Sequence, residues 1–413
     1  MKILLLSYLF NPNAGSELGV VKKWSDAYSK LGHDLTVWTS LDQKRYFNDY
    51  EFTNSKYKIN FIGRKVKRLV ESPQSTYDLL KMKQNINKWY KQLPLAEMSQ
   101  FDMIQHVTLS TIRINSPLTY HDETLENKLK VWGPLGGGQV SNMKFVPRRE
   151  VLLETVRNSS IRILPFFTRL KNLERSQILV MVTNEDTYKY ASRSGFKNVR
   201  LELSDGVEQV NVVENHRTLS KTRINGAINF LWAGRVVGSK RLDIAILMIS
   251  RLLEEGVNAR LNVAGDGPAL SSMKKLAIKL NLKDHVIFHG RVSWNRVNDL
   301  IDSSDFTVFS SIRDNSAPII LESAARAVPS IAIRIQGVSS LYPESVAIGP
   351  TELKSAKDMH KQLASYVTGI LGNPSEYERA SQNCLLFARS QTWDEKARRV
   401  LDSQASDTDT KSC

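Results

Sequence analysis

The sequence is poor in cysteine and contains no long apolar run, and each absence excludes a class of protein. With only Cys384 and Cys413 among 413 residues, it offers neither a disulfide framework nor a zinc-binding cysteine pattern, and we expect a cytoplasmic protein. No apolar stretch approaches the ~20 residues of a membrane span. The apolar start at Met1–Phe10 has no small-residue cleavage site, so it predicts a buried strand rather than a signal peptide.

Positive charge is in excess, and most of the excess lies in the first half of the chain. The net charge is +15, of which residues 1–205 contribute +11. Such asymmetry indicates a solubilising surface, or contact with anionic lipid headgroups or nucleic acid. Basic and apolar residues alternate most strongly in 143–175, which we expect to form two membrane-facing helices separated by Pro165. No nucleic-acid-binding module accompanies the charge, so we expect no nucleic-acid partner.

The alternation of strand and helix patterns predicts an α/β protein with two domains. Residues 1–204 form the first predicted domain, and the polar stretch 205–226 forms a linker. Residues 227–385 form the second domain, a helix occupies 386–402, and 403–413 is a polar tail that we expect to be flexible. Both domains should contain parallel sheets, whose ligands bind at the carboxyl ends of the strands.

The stretch 305–330 predicts one strand–loop–helix–strand unit in the second domain. Phe306–Phe309 is an apolar run typical of a buried strand. Ala317–Ala327 should form a helix, with Asn315 or Ser316 as its N-cap. Because the loop between these elements follows the end of a strand, it is a candidate ligand-binding loop.

Two acidic residues, Asp314 in the loop and Glu322 in the helix, are candidate ligands in this unit. The Glu322 carboxylate lies in an apolar sequence context, where it could accept hydrogen bonds from the diol of a ribose-like sugar. The alternative is that Glu322 caps a neighbouring helix and that Asp314 only stabilises the turn.

A second loop follows the strand Ile228–Ala233 and leads into a predicted helix at Leu242–Glu254. Gly234 and Gly238 permit a tight backbone. Arg235 and Lys240 place two cations beside the start of a helix, which is unfavourable unless an anion binds there. The loop therefore predicts a phosphate site, although two solvated surface charges are the alternative.

Three places in the first half are candidates for the other side of a binding site. Gly15 lies in the loop after the first strand, where backbone amides can approach a phosphate or a sugar. His106 ends the predicted strand Asp102–Val107, as either a packed or a functional residue. Three consecutive glycines, Gly136, Gly137 and Gly138, favour a close approach of the backbone to another group.

Several of these blocks resemble one family. An acid, seven residues and then Glu-Ser-Ala-Ala-x-Ala-x-Pro at 314–329 resembles the signature of retaining glycosyltransferases of family 4. The stretch beginning GSELGV resembles the first loop of that family, and the GPLGGG loop resembles a loop of its bacterial envelope and exopolysaccharide branch. The family usually has Glu at the position of Asp314, so the resemblance carries over less firmly to that residue.

The resemblance implies the GT-B fold, in which two Rossmann-like domains with parallel sheets face each other across a cleft. It also implies that the helix at 386–402 returns to the first domain. The expected reaction transfers a sugar from a nucleoside diphosphate to a hydroxyl group with retention of configuration. The site residues that it implies are Gly234, Arg235 and Lys240 at the diphosphate, Glu322 at the ribose, Val292 at the base, Asp314 with the amides of Ser316 and Ala317 at the sugar, Gly15 and His106 near the reacting sugar, and Gly136, Gly137 and Gly138 on the acceptor side.

The expected partners are a nucleoside-diphosphate sugar and a glycan or lipid-linked glycan acceptor, with peripheral contact to an anionic membrane at the inner face of the plasma membrane. We expect no metal and no cofactor, because side chains and amides suffice to hold the phosphates. Three alternatives remain open at this point: a GT-B nucleotide-sugar epimerase, a non-catalytic relative that binds nucleotide, and a basic nucleic-acid-binding protein.

Overall fold

The structure is a computed structural model of the chain. It describes residues 1–14, 16–47, 56–66, 69–71, 76–120, 123–146, 151–170, 175, 177–219, 226–351 and 358–403. Gly15, the linker residues 220–225 and the tail from 404 onward therefore lie outside the described residues. The chain divides into two compact units.

Strands and helices alternate along the chain. The strands are β1 (Lys2–Ser7), β2 (Asp34–Ser40), β3 (Lys58–Ile62), β4 (Met103–Thr108), β5 (Leu129–Leu135), β6 (Ile178–Val182), β7 (Val199–Leu201), β8 (Ile228–Ala233), β9 (Ala259–Ala264), β10 (Val286–Gly290), β11 (Phe306–Phe309), β12 (Ser330–Ala332) and β13 (Ala347–Ile348). The α-helices are α1 (Ser16–Lys30), α2 (Thr76–Tyr90), α3 (Leu95–Met98), α4 (Val151–Arg169), α5 (Glu185–Arg193), α6 (Leu242–Glu254), α7 (Leu270–Lys279), α8 (Trp294–Asp302), α9 (Pro318–Ala325), α10 (Gly337–Leu341), α11 (Met359–Gly372), α12 (Pro374–Ser390) and α13 (Trp393–Asp402).

The first unit comprises residues 1–138, 161–205 and 393–413. Its sheet contains parallel strands in the order β3-β2-β1-β4-β5-β6-β7. Strands β4 and β6 are buried along their whole length, which explains why β6 reads as a continuous apolar run rather than an alternating one. Trp24 of α1 stacks on Tyr28 and contacts Trp393 of α13 edge to face, so the last helix is part of this core.

The second unit comprises residues 139–160 and 206–392. Its sheet has parallel strands in the order β10-β9-β8-β11-β12-β13. Phe230 of β8 stacks on Phe306 of β11, and helices α6 and α11 cover the same core. In both sheets the strand order reverses beside the first strand of the unit, and loops at such a switch point form the ligand crevice of open α/β sheets.

Most predicted strands agree closely with the structure, and two predictions of local structure in the first half of the chain are wrong. Residues 151–169 form one helix that contains Pro165, whereas the sequence predicts a break there. Asn158, Ile161 and Pro165 are buried on one side of α4, so packing of this stripe outweighs the one main-chain hydrogen bond that proline removes. Strand β4 continues to Thr108, so His106 lies inside the strand and not at its end.

The units do not follow the predicted boundaries everywhere. Residues 139–160, which the sequence places in the first domain, group with the second unit. Helix α13 groups with the first unit, which is the return that the resemblance implies for the helix at 386–402. Within the described residues, no helix is both long and apolar enough to cross a membrane.

Candidate functional site

The site of the second unit is built from two loops at the switch point of its sheet. We call residues 234–241, after β8, the β8 loop, and residues 310–317, after β11, the β11 loop. The Ser310 hydroxyl donates to the Lys240 carbonyl at 2.9 Å, and the Ile312 amide donates to the Ser239 carbonyl at 2.9 Å. Trp232 Nε1 in turn donates to Ser310 Oγ at 3.1 Å. These bonds fix the two loops side by side.

Glycines let a third loop pack against the β8 loop. The amide of Gly234 donates to the Ala264 carbonyl at 3.0 Å. A Cβ on Gly265 would lie 1.9 Å from the carbonyl oxygen of Gly234, and a Cβ on Gly267 would lie 2.4 Å from that of Val236. Only glycine fits at Gly265 and Gly267, so the packing fixes the backbone of the β8 loop from its far side.

The two loops bring Lys240 and Asp314 together as an ion pair, in which the side chains are 29% and 14% exposed. Asp314 Oδ1 also accepts a hydrogen bond from the Ala317 amide at 3.1 Å. Lys240 Nζ lies 5.6 Å from the centre of the Phe309 ring, within cation–π range. The sequence predicts Lys240 and Asp314 as separate ligands, whereas the structure shows that each is the counterion of the other.

Arg235 supplies a cation that is not neutralised in this way. Its side chain is exposed, and no hydrogen bond or ion pair engages it among the described residues. Arg241 instead pairs with Asp243 on the first turn of α6. Arg241 is also the N-cap of α6, with φ 48° and ψ 48°, and it makes no side-chain capping bond. Arg235 therefore remains available to an anion at the start of this helix.

The remaining predicted residues of this unit lie at the start of α9, within α9, and in a packed apolar cluster. Helix α9 begins at Pro318 with Ala317 as its N-cap, at φ 47°, so the predicted N-caps Asn315 and Ser316 are wrong. The Asp314 carboxylate takes over the capping function through the Ala317 amide. Glu322 is half-buried in α9. Val292 packs against the cluster that contains Leu231, Ala264, Leu300, Ile301 and Val328.

Sequence reasoning missed the residues that support the β11 loop. Tyr342 donates from its hydroxyl to the Ser316 carbonyl at 2.6 Å. Arg313 forms an ion pair with Glu154, which also accepts from Ser141 Oγ at 2.8 Å and from Arg157 at 3.1 Å. Burial would raise the pKa of Glu154, but Ser141 and the two guanidinium groups hold it below its usual range. Because the partners lie far apart in sequence, no local pattern indicates them.

In the first unit, His106 is buried in β4, and its Nε2 lies 3.2 Å from the hydroxyl of Tyr90. Burial lowers the pKa of His106 to about 3. Within the described residues, Nδ1 has no hydrogen-bond partner. At neutral pH the imidazole is therefore uncharged, so it could bind a ligand only as a neutral group.

The glycines after β5 approach groups of their own unit. A Cβ on Gly137, which has φ 95°, would lie 2.6 Å from Thr111 Oγ1. A Cβ on Gly138 would lie 2.7 Å from the Cα of Thr187 in α5. Gly136 donates to the Ser110 carbonyl at 2.9 Å. These glycines therefore closely approach groups of their own unit.

Glu17 is a further residue that sequence reasoning did not single out. It stands in the first turn of α1, and its Oε1 accepts from the Ser110 amide at 2.6 Å. Burial raises the pKa of Glu17. Because Ser110 follows β4, this bond ties the start of α1 to the loop on the other side of the switch point between β1 and β4.

Helix α4 exposes most of its large apolar residues. Ile161 and Pro165 are buried together with Asn158, and Glu154 and Arg157 are half-buried, whereas the exposed side of the helix is apolar with added arginines. The usual amphipathic pattern places the apolar residues on the buried side. The exposed large apolar residues on and beside this helix are Val151, Leu152, Leu153, Val156, Ile163, Leu164, Phe166, Phe167 and Leu170.

Comparison with known proteins agrees with this architecture. Residues 219–385 match the family described as "Glycosyl transferases group 1". The structure is similar to WaaG, a glycosyltransferase involved in lipopolysaccharide biosynthesis, at 13% identity and a TM-score of 0.56 over 97% of this chain and 98% of that one. It is also similar to HepE of Anabaena, solved with UDP and glucose, at 12% identity and a TM-score of 0.56 over 98% and 100%. The fold is therefore GT-B, as the family resemblance implies.

Two curated relatives match over shorter stretches. Alpha-D-kanosaminyltransferase of Streptomyces kanamyceticus is 26% identical over 153 residues, 37% of this chain and 39% of the relative. N-acetyl-alpha-D-glucosaminyl L-malate synthase of Bacillus anthracis is 30% identical over 112 residues, 27% of this chain and 28% of the relative. The chain thus spans less than half the length of these relatives.

Proposed function

We propose that this protein is a retaining glycosyltransferase that moves a sugar from a nucleoside diphosphate to a hydroxyl group of a glycan or lipid-linked glycan. The observation that carries the proposal is the pairing of Lys240 with Asp314 across two loops at the switch point of the second sheet, with the exposed Arg235 on the same loop as Lys240. The group 1 domain, the named glycosyltransferase relatives and the UDP-bound HepE structure support it.

The proposed chemistry depends on the charge that develops on the leaving diphosphate as the glycosidic bond breaks. Arg235 and Lys240 lie at the end of β8, where they would stabilise that charge, and preorganised cations give their largest effect at such a point. The leaving phosphate itself would accept the proton of the acceptor hydroxyl. We therefore propose that no side chain acts as the base and that no metal ion takes part.

The two acids would then have different functions. Glu322, half-buried in α9, would accept hydrogen bonds from the ribose hydroxyls. The Asp314 oxygen that faces Lys240 would accept a hydrogen bond from a hydroxyl of the transferred sugar. Its other oxygen, Oδ1, accepts a hydrogen bond from the Ala317 amide. A diphosphate that attracts Lys240 would free that oxygen for the sugar, so donor binding and release of Asp314 would occur together.

The outward face of α4 supports an acceptor at a membrane surface. Exposed apolar side chains accompanied by arginines are typical of helices that lie in the interface of an anionic bilayer. Leu152, Leu153, Phe166 and Phe167 are 76%, 73%, 62% and 56% exposed, so they would insert among the acyl chains. We propose that the protein acts on a lipid-linked acceptor at the inner face of the plasma membrane.

A thermal-shift panel tests the donor site first. UDP, GDP, ADP and TDP are added to wild type and to Lys240→Ala, and a ligand at 100 times its dissociation constant should add about 2.7 kcal/mol to the free energy of unfolding. We expect one nucleotide to stabilise wild type and to act less on Lys240→Ala. Lys274→Ala is the matched control, because Lys274 is an exposed lysine of the same unit that contacts Phe288.

The nucleotide that binds then selects the sugar donors for transfer assays, and the anomeric configuration of the product tests retention. A new nucleotide sugar without transfer would indicate an epimerase. Binding without turnover would indicate a non-catalytic relative. If none of the four nucleotides stabilises the folded wild type, the proposed donor site is wrong.

A further inference from the structure

The turn that follows β12 contains an unusual backbone conformation. Gln336 is the N-cap of α10, with φ 50° and ψ −124°, a region that residues with a Cβ avoid. Such strain persists only where surrounding contacts over-determine it. The contacts of the Gln336 side chain are therefore expected to have a function.

Both polar atoms of the Gln336 side chain make hydrogen bonds. Gln336 Oε1 accepts from the Asp314 amide at 3.1 Å, and Nε2 donates to the Val140 carbonyl at 3.1 Å. An amide N–H only donates and a carbonyl only accepts, so the two partners fix which end of the carboxamide is oxygen. Gln336 thus joins the β11 loop to the segment at 139–141, both in the second unit.

A second connection runs in parallel and closes a ring. Ser141, next to Val140, donates to Glu154, and Glu154 pairs with Arg313, next to Asp314. The ring leads from Gln336 through Asp314 and Arg313 to Glu154 and Ser141, and returns through Val140. Because the Asp314 amide is held on this ring, the position of its carboxylate against Lys240 depends on Gln336.

We propose that Gln336 is a positioning residue for the donor site, which holds the β11 loop through the Asp314 amide and so fixes the Asp314 carboxylate. This inference rests on the proposed function for its effect on nucleotide affinity, but not for its effect on the structure of the loop. Gln336 contacts the backbone of the loop and would not need to contact the donor.

Two substitutions separate the bonds of Gln336 from its strain. Gln336→Gly removes both side-chain bonds and makes the backbone conformation favourable. Gln336→Ala removes the same bonds but keeps the strain. We therefore expect Gln336→Gly to melt at a higher temperature than Gln336→Ala. Asn281→Gly is the control, because Asn281 also has a positive φ, 55°, and lies after α7, away from these loops.

Hydrogen exchange measured by mass spectrometry tests the structural part without any ligand. In both Gln336 variants, the peptide that covers the β11 loop should exchange at least tenfold faster than in wild type, since the loop loses a bond that fixes it. In Asn281→Gly, this peptide should exchange at the wild-type rate. Unchanged exchange in the two Gln336 variants would overturn the proposal.

Calorimetric titration with UDP, GDP, ADP and TDP, at a temperature where all variants are folded, tests the functional part. We expect the dissociation constant of the nucleotide that binds wild type to rise about tenfold in both Gln336 variants. If Gln336 only stabilised the fold, nucleotide affinity would follow stability, and Gln336→Gly would bind more tightly than Gln336→Ala. Either this order of affinities, or wild-type affinity in both variants, would refute the positioning function. If exchange increases but wild type binds none of the nucleotides, Gln336 still positions the loop, and it is the proposed function that fails.

Discussion

A buried cluster of charges in the first unit allows a prediction with a definite size. Glu202, directly after β7, is 5% exposed and accepts from Lys396 Nζ and from Arg399, each at 2.8 Å. Arg200 lies 3.8 Å away. Lys396 is fully buried and also donates to the Leu203 carbonyl at 2.7 Å. One carboxylate thus holds three cations between the last helix and the edge of the sheet.

Replacing the Glu202 carboxylate should destabilise the protein more than replacing Lys396. Burial would raise the pKa of Glu202, but Lys396 and Arg399 outweigh it and hold the pKa at about 2. A fall from 4.5 to about 2 corresponds to roughly 3 kcal/mol of stability. Glu202→Gln loses this stabilisation and leaves the buried Lys396 without its ion-pair partner, so we expect a loss of about 3–5 kcal/mol.

Lys396→Met leaves Glu202 paired with Arg399 and replaces a buried ammonium by a side chain of similar length. Burial lowers the pKa of Lys396 despite its contact with Glu202, so removing this charge also removes an unfavourable desolvation. We expect Lys396→Met to lose only about 1–2 kcal/mol, the contribution of one charge-assisted hydrogen bond.

Scanning calorimetry at pH 7 checks this asymmetry. Glu185→Gln serves as the control, since its ion pair with Lys189 is 64% and 59% exposed and should change stability by less than ~1 kcal/mol. Because the folded-state pKa of Glu202 is depressed, its contribution is complete above about pH 4.5 and is lost as pH falls through about 2. A Lys396→Met variant that is less stable than Glu202→Gln, or a difference between wild type and Glu202→Gln that stays constant down to pH 2, would refute the reasoning.

Two further predictions concern the β8 loop and the outer face of α4. Gly265→Ala places a Cβ 1.9 Å from the Gly234 carbonyl oxygen and should destabilise the second unit by about 2–4 kcal/mol in calorimetry. The control is Gly369→Ala in helix α11, where a Cβ would meet nothing within 4 Å, and it should stabilise the unit by up to ~1 kcal/mol. The double variant Leu153→Glu with Phe167→Glu should bind anionic phosphatidylglycerol vesicles at least tenfold more weakly than wild type in co-sedimentation, with unchanged nucleotide affinity; equal vesicle binding would show that α4 does not contact the bilayer.

The strands were predictable from sequence because parallel strands buried on both faces leave a strong local pattern. Ile228–Ala233 and Phe306–Phe309 have the same bounds in the sequence analysis and in the structure. The two-domain GT-B fold followed from this pattern together with the family resemblance. The position of the β8 and β11 loops at the switch point followed in turn from the strand order that such sheets share.

The contacts that support the site left no such pattern. Arg313 and Glu154 are 159 positions apart, and Gln336 meets Val140 at a separation of 196. Residues 139–160 read as part of the first domain because a glycine-rich loop precedes them and no polar boundary separates them from it. Only the folded chain shows that this segment groups with the second unit and fixes the β11 loop.

The Lys240–Asp314 pair shows why functions assigned one residue at a time are incomplete. The sequence indicates a phosphate ligand and a sugar ligand, and both residues do lie at the switch point, but their opposite charges neutralise each other there. The first attraction for the proposed anionic donor would therefore come from Arg235, which is exposed and unpaired among the described residues. Lys240→Ala would remove a cation and also leave the Asp314 carboxylate without its counterion beside the phosphates. Its effect on nucleotide affinity should therefore exceed the loss of a single ligand, because the remaining carboxylate would repel the anion that Lys240 attracts.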